Sequence, residues 1–294
     1  MNLYSNVSER MDYIQKLFLS VGTHLQKKTS LDEVIALLET EPPEYRSVAY
    51  ESASYEIALE ELKSHQQLVR WKEFRELSAG QHTFHMDIGL GWAFAKSGLN
   101  PEPYLLKLQP LVKLMVFDGL GYYYGLFKGR STLKNKEIPE IEYDGIHGFD
   151  QGLGRRLWYM AKGNVSAVNE LVEKFPATRH PDLFRGIGIA CGYVGGNEKD
   201  DLEYLFEISG EHKKQLQLGV VLAAISRIAS QTISENNNMA CRVVCNKTID
   251  ELKMSITKMR TNLFYLYNNS PNNRDWLTQL ESELLQTNNA TPSM

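Results

Sequence analysis

The chain has 294 residues, 43% of them hydrophobic, which is enough for one large domain with a sizeable core or for two small ones. A net charge of −4 argues against a general nucleic-acid binder. The apolar runs are too short and too interrupted by charge to cross a bilayer, the N-terminus has no secretory pattern, and only three cysteines occur, so a soluble protein of a reducing, cytoplasmic compartment is expected.

Residues 8–19 read as a helix with Met11, Ile14, Leu17 and Phe18 on one face. Ser30 and Glu33 form a capping box ahead of Leu31, Val34, Ile35 and Leu38, and Pro42 and Pro43 stop that helix. Helical spacing resumes over 44–63. An outer helix is expected near 68–78 and an inner one over 83–96, after which Asn100, Pro101 and Pro103 break the chain. A short helix over 104–108 leads to Pro110, a first-turn proline, and the pattern then runs through Phe127. Residues 129–148 are polar and carry Gly129, Pro139, Gly145 and Gly148; they read as a long loop or lid.

The helix restarting at Phe149 ends near Gly163, and Asn164 caps a partner over 165–175. A proline-marked connector, 175–182, leads to a helix that ends at Gly195 and Gly196. Further helices are expected over 200–208 and 212–231, with the asparagines at 236–238 as a break. Thr248 and Glu251 form a second capping box, opening a helix to about Tyr267. An amphipathic helix over 274–286 carries Trp276, Leu280 and Leu284. The last eight residues are expected to be disordered. Strand signals are nearly absent.

One motif recurs through this pattern. MDIGLGWAFAK at 86–96, FDGLGYYYGLF at 117–127, FDQGLGRRLWY at 149–159 and FRGIGIACGYVGG at 184–196 share small residues followed by bulky ones, and weaker copies stand at 50–62 and 216–225. Anchored on Ser52, Gly89, Gly119, Gly152, Gly186 and Gly219, the copies repeat at close to 33 residues, the period of stacked helix pairs. Glycine inside a helix costs ~1 kcal/mol relative to alanine. Either close helix packing or space for a ligand compensates that cost. A dinucleotide fingerprint is excluded, because the strand–turn–helix context is lacking.

Near the small residues stand Glu51, Asp87, Asp118, Asp150, Arg185 and Gln217. Acids at helix starts complement the helix dipole, and equivalent positions of a ring of helices also face a common space. Asp118, Asp150, Asp87 and Arg155 are therefore the candidate catalytic residues, with Asp118 and Asp150 expected to share one space and Arg155 expected near at least one of them. Trp92, Tyr122, Tyr123, Tyr124, Trp158, Arg185 and Tyr193 are the candidate substrate-binding residues, though aromatics at this spacing equally make plain core. Metal and nucleophile patterns are weak. His82 and His85 stand three apart without a completing ligand, and Cys241 and Cys245 read as core thiols. No metal site and no cofactor is expected.

These motifs, in this order over roughly 45–245, resemble the bacterial domain-of-unknown-function 1702 family; the first copy, YESASYE, departs from its pattern, and the stretch after 247 matches less clearly. The resemblance implies an association with enediyne biosynthesis, genes beside polyketide synthases, and the processing of a polyunsaturated or otherwise hydrophobic intermediate. It implies no agreed catalytic residues.

The expected architecture is all-α, about six helix-pair repeats forming an α/α-toroid or a curved α-solenoid around an apolar cavity. Residues 1–246 form the repeat domain, 247–286 pack on it as C-terminal helices, and 287–294 are a tail. The expected function is an enzyme of specialised metabolism that cyclises, isomerises or dehydrates a polyene- or isoprenoid-like substrate, as a lyase or isomerase. Acids would supply protons and aromatic faces would stabilise cations. The alternative is a non-catalytic helical-repeat scaffold or carrier-binding protein of a biosynthetic assembly. The expected partners are a hydrophobic small molecule and proteins of the same cluster, without nucleic acid or membrane insertion; a homodimer is compatible with the sequence.

Overall fold

Leucine, isoleucine and aromatic side chains recur at helical spacing through nearly the whole chain, and the backbone follows them. The computed structural model describes residues 6–25, 30–64, 67–106, 108, 110–255, 277–278 and 280–282. Among the described residues all regular structure is helical and no strand occurs. No helix among them is long and apolar enough to cross a membrane. The α-helices are α1 (Val7–Leu25), α2 (Leu31–Leu38), α3 (Arg46–Ser64), α4 (Val69–Leu77), α5 (Thr83–Ser97), α6 (Glu102–Leu105), α7 (Pro110–Phe127), α8 (Tyr143–Met160), α9 (Val165–Val172), α10 (His180–Val194), α11 (Lys199–Ile208), α12 (Lys213–Ala229) and α13 (Glu235–Cys245).

Local chemistry sets several boundaries. Ser30 accepts from the Glu33 amide at 3.2 Å in a reciprocal box, and Asn164 accepts from the Ala167 amide at 2.9 Å. Gly98 ends α5 at φ +75°, where a residue without Cβ is unstrained. Thr248 and Glu251 bond reciprocally, Glu251 N–H to Thr248 Oγ1 at 3.2 Å and Thr248 N–H to Glu251 Oε2 at 2.7 Å.

The long helices α3, α5, α7, α8, α10 and α12 pack each against the next. They are buried on most sides: α10 has only Pro181 and Ile189 outside its buried set. Between them α4, α9 and α11 bury a single stripe each, such as Val165, Val168 and Val172 on α9, as amphipathic outer helices do. Helix α1 packs on α3 and also reaches α10.

The repeated glycines explain the close packing of the inner series. A Cβ on Gly89, Gly119, Gly152, Gly186 or Gly219 would fall on the carbonyl oxygen of Glu51, Ile88, Asp118, Gln151 or Arg185 of the preceding inner helix. A Cβ on Gly91, Gly121, Gly154 or Gly188 would fall on the carbonyl of Val116, Phe149, Leu183 or Leu216 of the following one. The first glycine of each motif thus receives the helix before it and the second the helix after it. Backbone-to-backbone contact of this kind adds dispersion and Cα–H···O attraction, which offsets the ~1 kcal/mol propensity cost of each glycine. At all nine positions the space is filled by protein backbone, not left for a ligand.

Several sequence expectations require correction. Residues 129–148 are not one long loop: Arg130–Lys134 form a π-type turn and α8 begins at Tyr143. Gly145 and Gly148 looked like loop residues but are helical, because Phe117 occupies the space where their Cβ atoms would stand. The asparagines at 236–238 do not break the chain; Ser234 and Asn237 make a capping box that starts α13. The short helix before Pro110 spans Glu102–Leu105 instead of 104–108, and the partner of α8 ends at Val172 instead of 175. The expected helix end near Tyr267, Trp276, Leu284 and the tail from 287 lie outside the described residues.

Candidate functional site

The residues that face inward from the inner helices fall in register once the repeats are aligned on their first small residue. Three positions after it stand Tyr55, Trp92, Tyr122 and Arg155 on α3, α5, α7 and α8. These side chains meet in that order, Tyr55 edge-on to Trp92 and Trp92 stacked on Tyr122. The Tyr55 and Trp92 ring centroids are 6.1 Å apart, Trp92 and Tyr122 5.5 Å, and the Arg155 guanidinium lies 5.3 Å from the Tyr122 centroid. Phe18 of α1 closes on Trp92 at 4.7 Å. The stack walls a cavity of about 370 Å³ lined from α1, α3, α5, α7, α8 and α10. His85, Arg155, Tyr159 and Tyr193 line both this cavity and a smaller one of about 30 Å³, whose wall also includes Asp118 and, on α12, Ser226.

The position one before the small residue carries the polar chain. It is Glu51 on α3, Asp118 on α7, Gln151 on α8 and Arg185 on α10. Arg185 Nε–H donates to Gln151 Oε1 at 2.6 Å, and Gln151 Nε2–H donates to Asp118 Oδ2 at 2.7 Å. The other Asp118 oxygen accepts from Arg155. Asp118 and Gln151 are fully buried. The amide of Gln151 is oriented by this arrangement, since its oxygen is taken by Arg185 and only its N–H₂ can face the carboxylate. Arg185 is itself held by Asp182, at 2.6 Å.

Glu51 lines the larger cavity and is 6% exposed. Burial pushes its carboxyl up to about 7; Arg155 opposes that shift and Asp118 adds to it. Burial also disfavours charge on Arg155, but Asp118 and Glu51 more than compensate, and the guanidinium sits above its ordinary value. His85 is pushed well below its usual value by burial and by the Arg155 and Arg227 charges, so it is neutral. Burial raises Tyr122, Tyr159 and Tyr193, which remain protonated hydroxyls. The site thus combines a carboxyl poised near neutrality, the fixed cation of Arg155, a neutral imidazole and phenolic donors within an aromatic wall. That set can move a proton and stabilise charge on an apolar ligand.

The residues singled out from sequence separate into two groups. Asp118, Arg155, Trp92, Tyr122, Tyr123 and Tyr193 line the cavities. Asp150 does not share the space of Asp118, contrary to expectation. Its carboxylate is clamped by Arg179, with Nε–H to Oδ2 at 2.8 Å, away from Arg155. The reason is register. Asp150 and Asp87 stand two residues before the first glycine, whereas Asp118 stands one before it. One residue turns a helix by about 100°. Asp87 is correspondingly bound by Arg75 at 2.7 and 3.0 Å. Burial still raises both carboxyls over the pull of their arginines, Asp87 to about 6. Tyr124 and Trp158 lie outside the cavity linings, Tyr124 against Phe149 and Trp158 fully buried, and Arg185 reaches the site only through Gln151.

Sequence reasoning named Glu51 and His85 without placing them among the candidate site residues; Tyr159 and Arg156 line the cavity as well. Alignment on the glycines, not on the acids, is the signal that finds Glu51. His82 and His85 do not converge. His82 contacts Ser47 at 2.9 Å, and His85 packs on the Tyr193 ring at 4.5 Å. Among the described residues no group of three or more His, Cys, Asp or Glu side chains could hold a metal ion. Burial pushes the Cys191 and Cys241 thiols up to about 12, far from thiolate chemistry.

No curated protein and no solved structure matches this chain. Residues 2–283 match the family described as protein of unknown function (DUF1702), and the chain belongs to that family.

Proposed function

We propose that the six inner helices close into an α/α-toroid and that the protein is an acid–base enzyme acting on an unsaturated, largely apolar substrate held in its cavity. The carrying observation is Glu51, a carboxyl raised to about 7 by burial, in an aromatic-lined cavity that Arg155 also lines. A group titrating near the working pH is the best compromise between having a proton and giving it up. Glu51 is the proton donor or acceptor, Arg155 stabilises negative charge on Glu51, and Asp118 with Gln151 positions Arg155. Trp92 and Tyr122 present π-faces to a developing cation. Isomerisation, cyclisation and loss of water all fit this set. A polyunsaturated or otherwise hydrophobic chain, the class implied by the family resemblance, suits the aromatic wall, as would an isoprenoid-like one. An aromatic lining around a titrating acid favours an enzyme over a binding scaffold, whose working surface would be an open polar groove.

The test is a panel of polyene and isoprenoid alcohols and acids incubated with the protein in D₂O and read by mass spectrometry. Products of unchanged skeleton carrying deuterium, or of lower mass by one water, are expected from the wild type and not from Glu51→Gln at equal helical content. Equal turnover by Glu51→Gln would remove the assignment. A panel that binds in the cavity yet is returned without deuterium would favour the scaffold.

A further inference from the structure

The donors at the open end of the larger cavity are not all used by the protein. Lys96, one turn beyond Trp92 on α5, is exposed and lines the cavity without an ion pair among the described residues. Arg156, on α8, lines it too, and its Nε–H is buried without an acceptor. The indole N–H of Trp92, a residue 8% exposed, is the third donor in the lining, and it also lacks an acceptor. Tyr122, stacked on Trp92, also takes a side-chain hydrogen bond from Arg156, so the unused donor of Arg156 is its Nε–H. Gly125 differs from the nine paired glycines of the repeat, whose Cβ atoms would meet backbone. A Cβ there would meet side chains, Arg156 Cγ at 2.9 Å and Leu153 Cδ2 at 3.0 Å, so its absence makes room for the Arg156 stem. A buried donor without an acceptor costs about 1–3 kcal/mol, and two such donors in one lining, beside an exposed ammonium, are explained by a ligand that accepts from them.

We infer that the substrate is amphipathic, with an oxyanion headgroup, a carboxylate or a phosphate, received at the mouth by Arg156, Lys96 and Trp92 Nε1 while its apolar chain runs inward toward Glu51. The inference rests on the proposed cavity enzyme and specifies its substrate. The charge balance supports it. Arg155 is matched by Asp118 and by the carboxyl of Glu51, whereas Lys96 and Arg156 share the lining with a single further acid among the described residues, Glu56. The Glu56 carboxylate is turned to α1, where a Cβ on Gly22 would stand 2.9 Å from its Oε1. Exposed Leu19 and Phe127 rim the same mouth and suit the first carbons of the chain.

Calorimetric titration with dodecanoate, dodecyl phosphate and dodecanol, below their micelle concentrations, tests this. Both anions, or one of them, should bind ~10-fold or more tightly than the alcohol, a difference of about 1.4 kcal/mol. Which anion binds better separates carboxylate from phosphate recognition. Lys96→Gln, at an exposed position, and Arg156→Gln should each bring the anions toward the alcohol while leaving alcohol binding unchanged. Dodecanol binding as tightly as the anions, or anion affinity unmoved by both variants, overturns the headgroup inference and leaves the cavity reading standing. Absence of binding by all three probes overturns both.

Discussion

Glu51 is the residue at which stability and function oppose each other. Its carboxyl is raised from an ordinary 4.5 to about 7, chiefly by burial. The folded protein therefore holds a proton that the unfolded chain has already released between those two values. The contribution is intact below about pH 4.5 and is lost as pH rises through about 7, up to roughly 3 kcal/mol. Glu51→Gln removes that loss. Its melting temperature is expected to exceed the wild type's at pH 8 and to converge with it near pH 4.5. A variant less stable than wild type at pH 8 would show that Glu51 is held by contacts that the charge repays. Asp118 behaves in the opposite sense. Asp118→Asn leaves Arg155 with one carboxyl instead of two, at a cost on the order of 3 kcal/mol by urea denaturation. Carbon-detected titration should then show Glu51 falling below 7, since a like charge has gone and Arg155 is released toward it. An unmoved titration would separate Glu51 from the Asp118–Arg155 pair.

At the level of the helices, the glycine pairs make a sharper prediction than helix propensity does. Gly152→Ala should be favourable by ~1 kcal/mol on propensity alone. Its Cβ, however, would stand on the Asp118 carbonyl, and rigid backbone on both sides cannot yield. A loss of more than ~4 kcal/mol is expected. Gly129→Ala is the control. Its φ is −55° and its nearest neighbour would be Leu133 Cδ1 at 3.6 Å, an ordinary contact, so a change within about 0.5 kcal/mol is expected. Two urea curves decide it, and similar midpoints for the two variants would refute close helix approach as the role of the repeat. Helices were legible wherever local signals agreed: the Ser30 box, the Asn164 cap, and the asparagine and proline stops after α5. They were misread where polar residues or glycines meant packing, at 143–148 and at 236–238. Local composition there says loop, while Phe117 and the Ser234–Asn237 cap say helix.

Across the whole molecule, distant parts of the chain meet at the C-terminal end of α10. Arg10 of α1 donates to the Val194 carbonyl and pairs with Glu44, and Arg227 of α12 donates to the carbonyls of Tyr193, at 2.7 Å, and Glu44. Both arginines are fully buried. They satisfy the last carbonyls of α10, which have no partner within the helix, and place positive charge at its negative end. Arg227→Met and Arg10→Met are each expected to cost roughly 3 kcal/mol. Hydrogen exchange should show α1 and the last turn of α10 losing protection together. Loss confined to one helix would mean that the junction is not shared.

The helical class, the period near 33 and the pairing of small residues with aromatics were all legible in the chain, because each depends on spacing along one helix. Tyr122, Tyr123, Trp92 and the Asp118–Arg155 pair could be proposed on that basis. The assignment of acids to faces could not. Asp118 and Asp150 look equivalent as FDG and FDQG, yet the inserted Gln151 takes the inward position and turns Asp150 to Arg179. Glu51, in the most degenerate copy, has its carboxyl raised to about 7 because helices distant in sequence remove it from water together. Periodicity within a helix is a local property and survives in the sequence. Desolvation is a sum over neighbours from distant segments, so which acid is poised to exchange a proton is decided by the packing of helices around it.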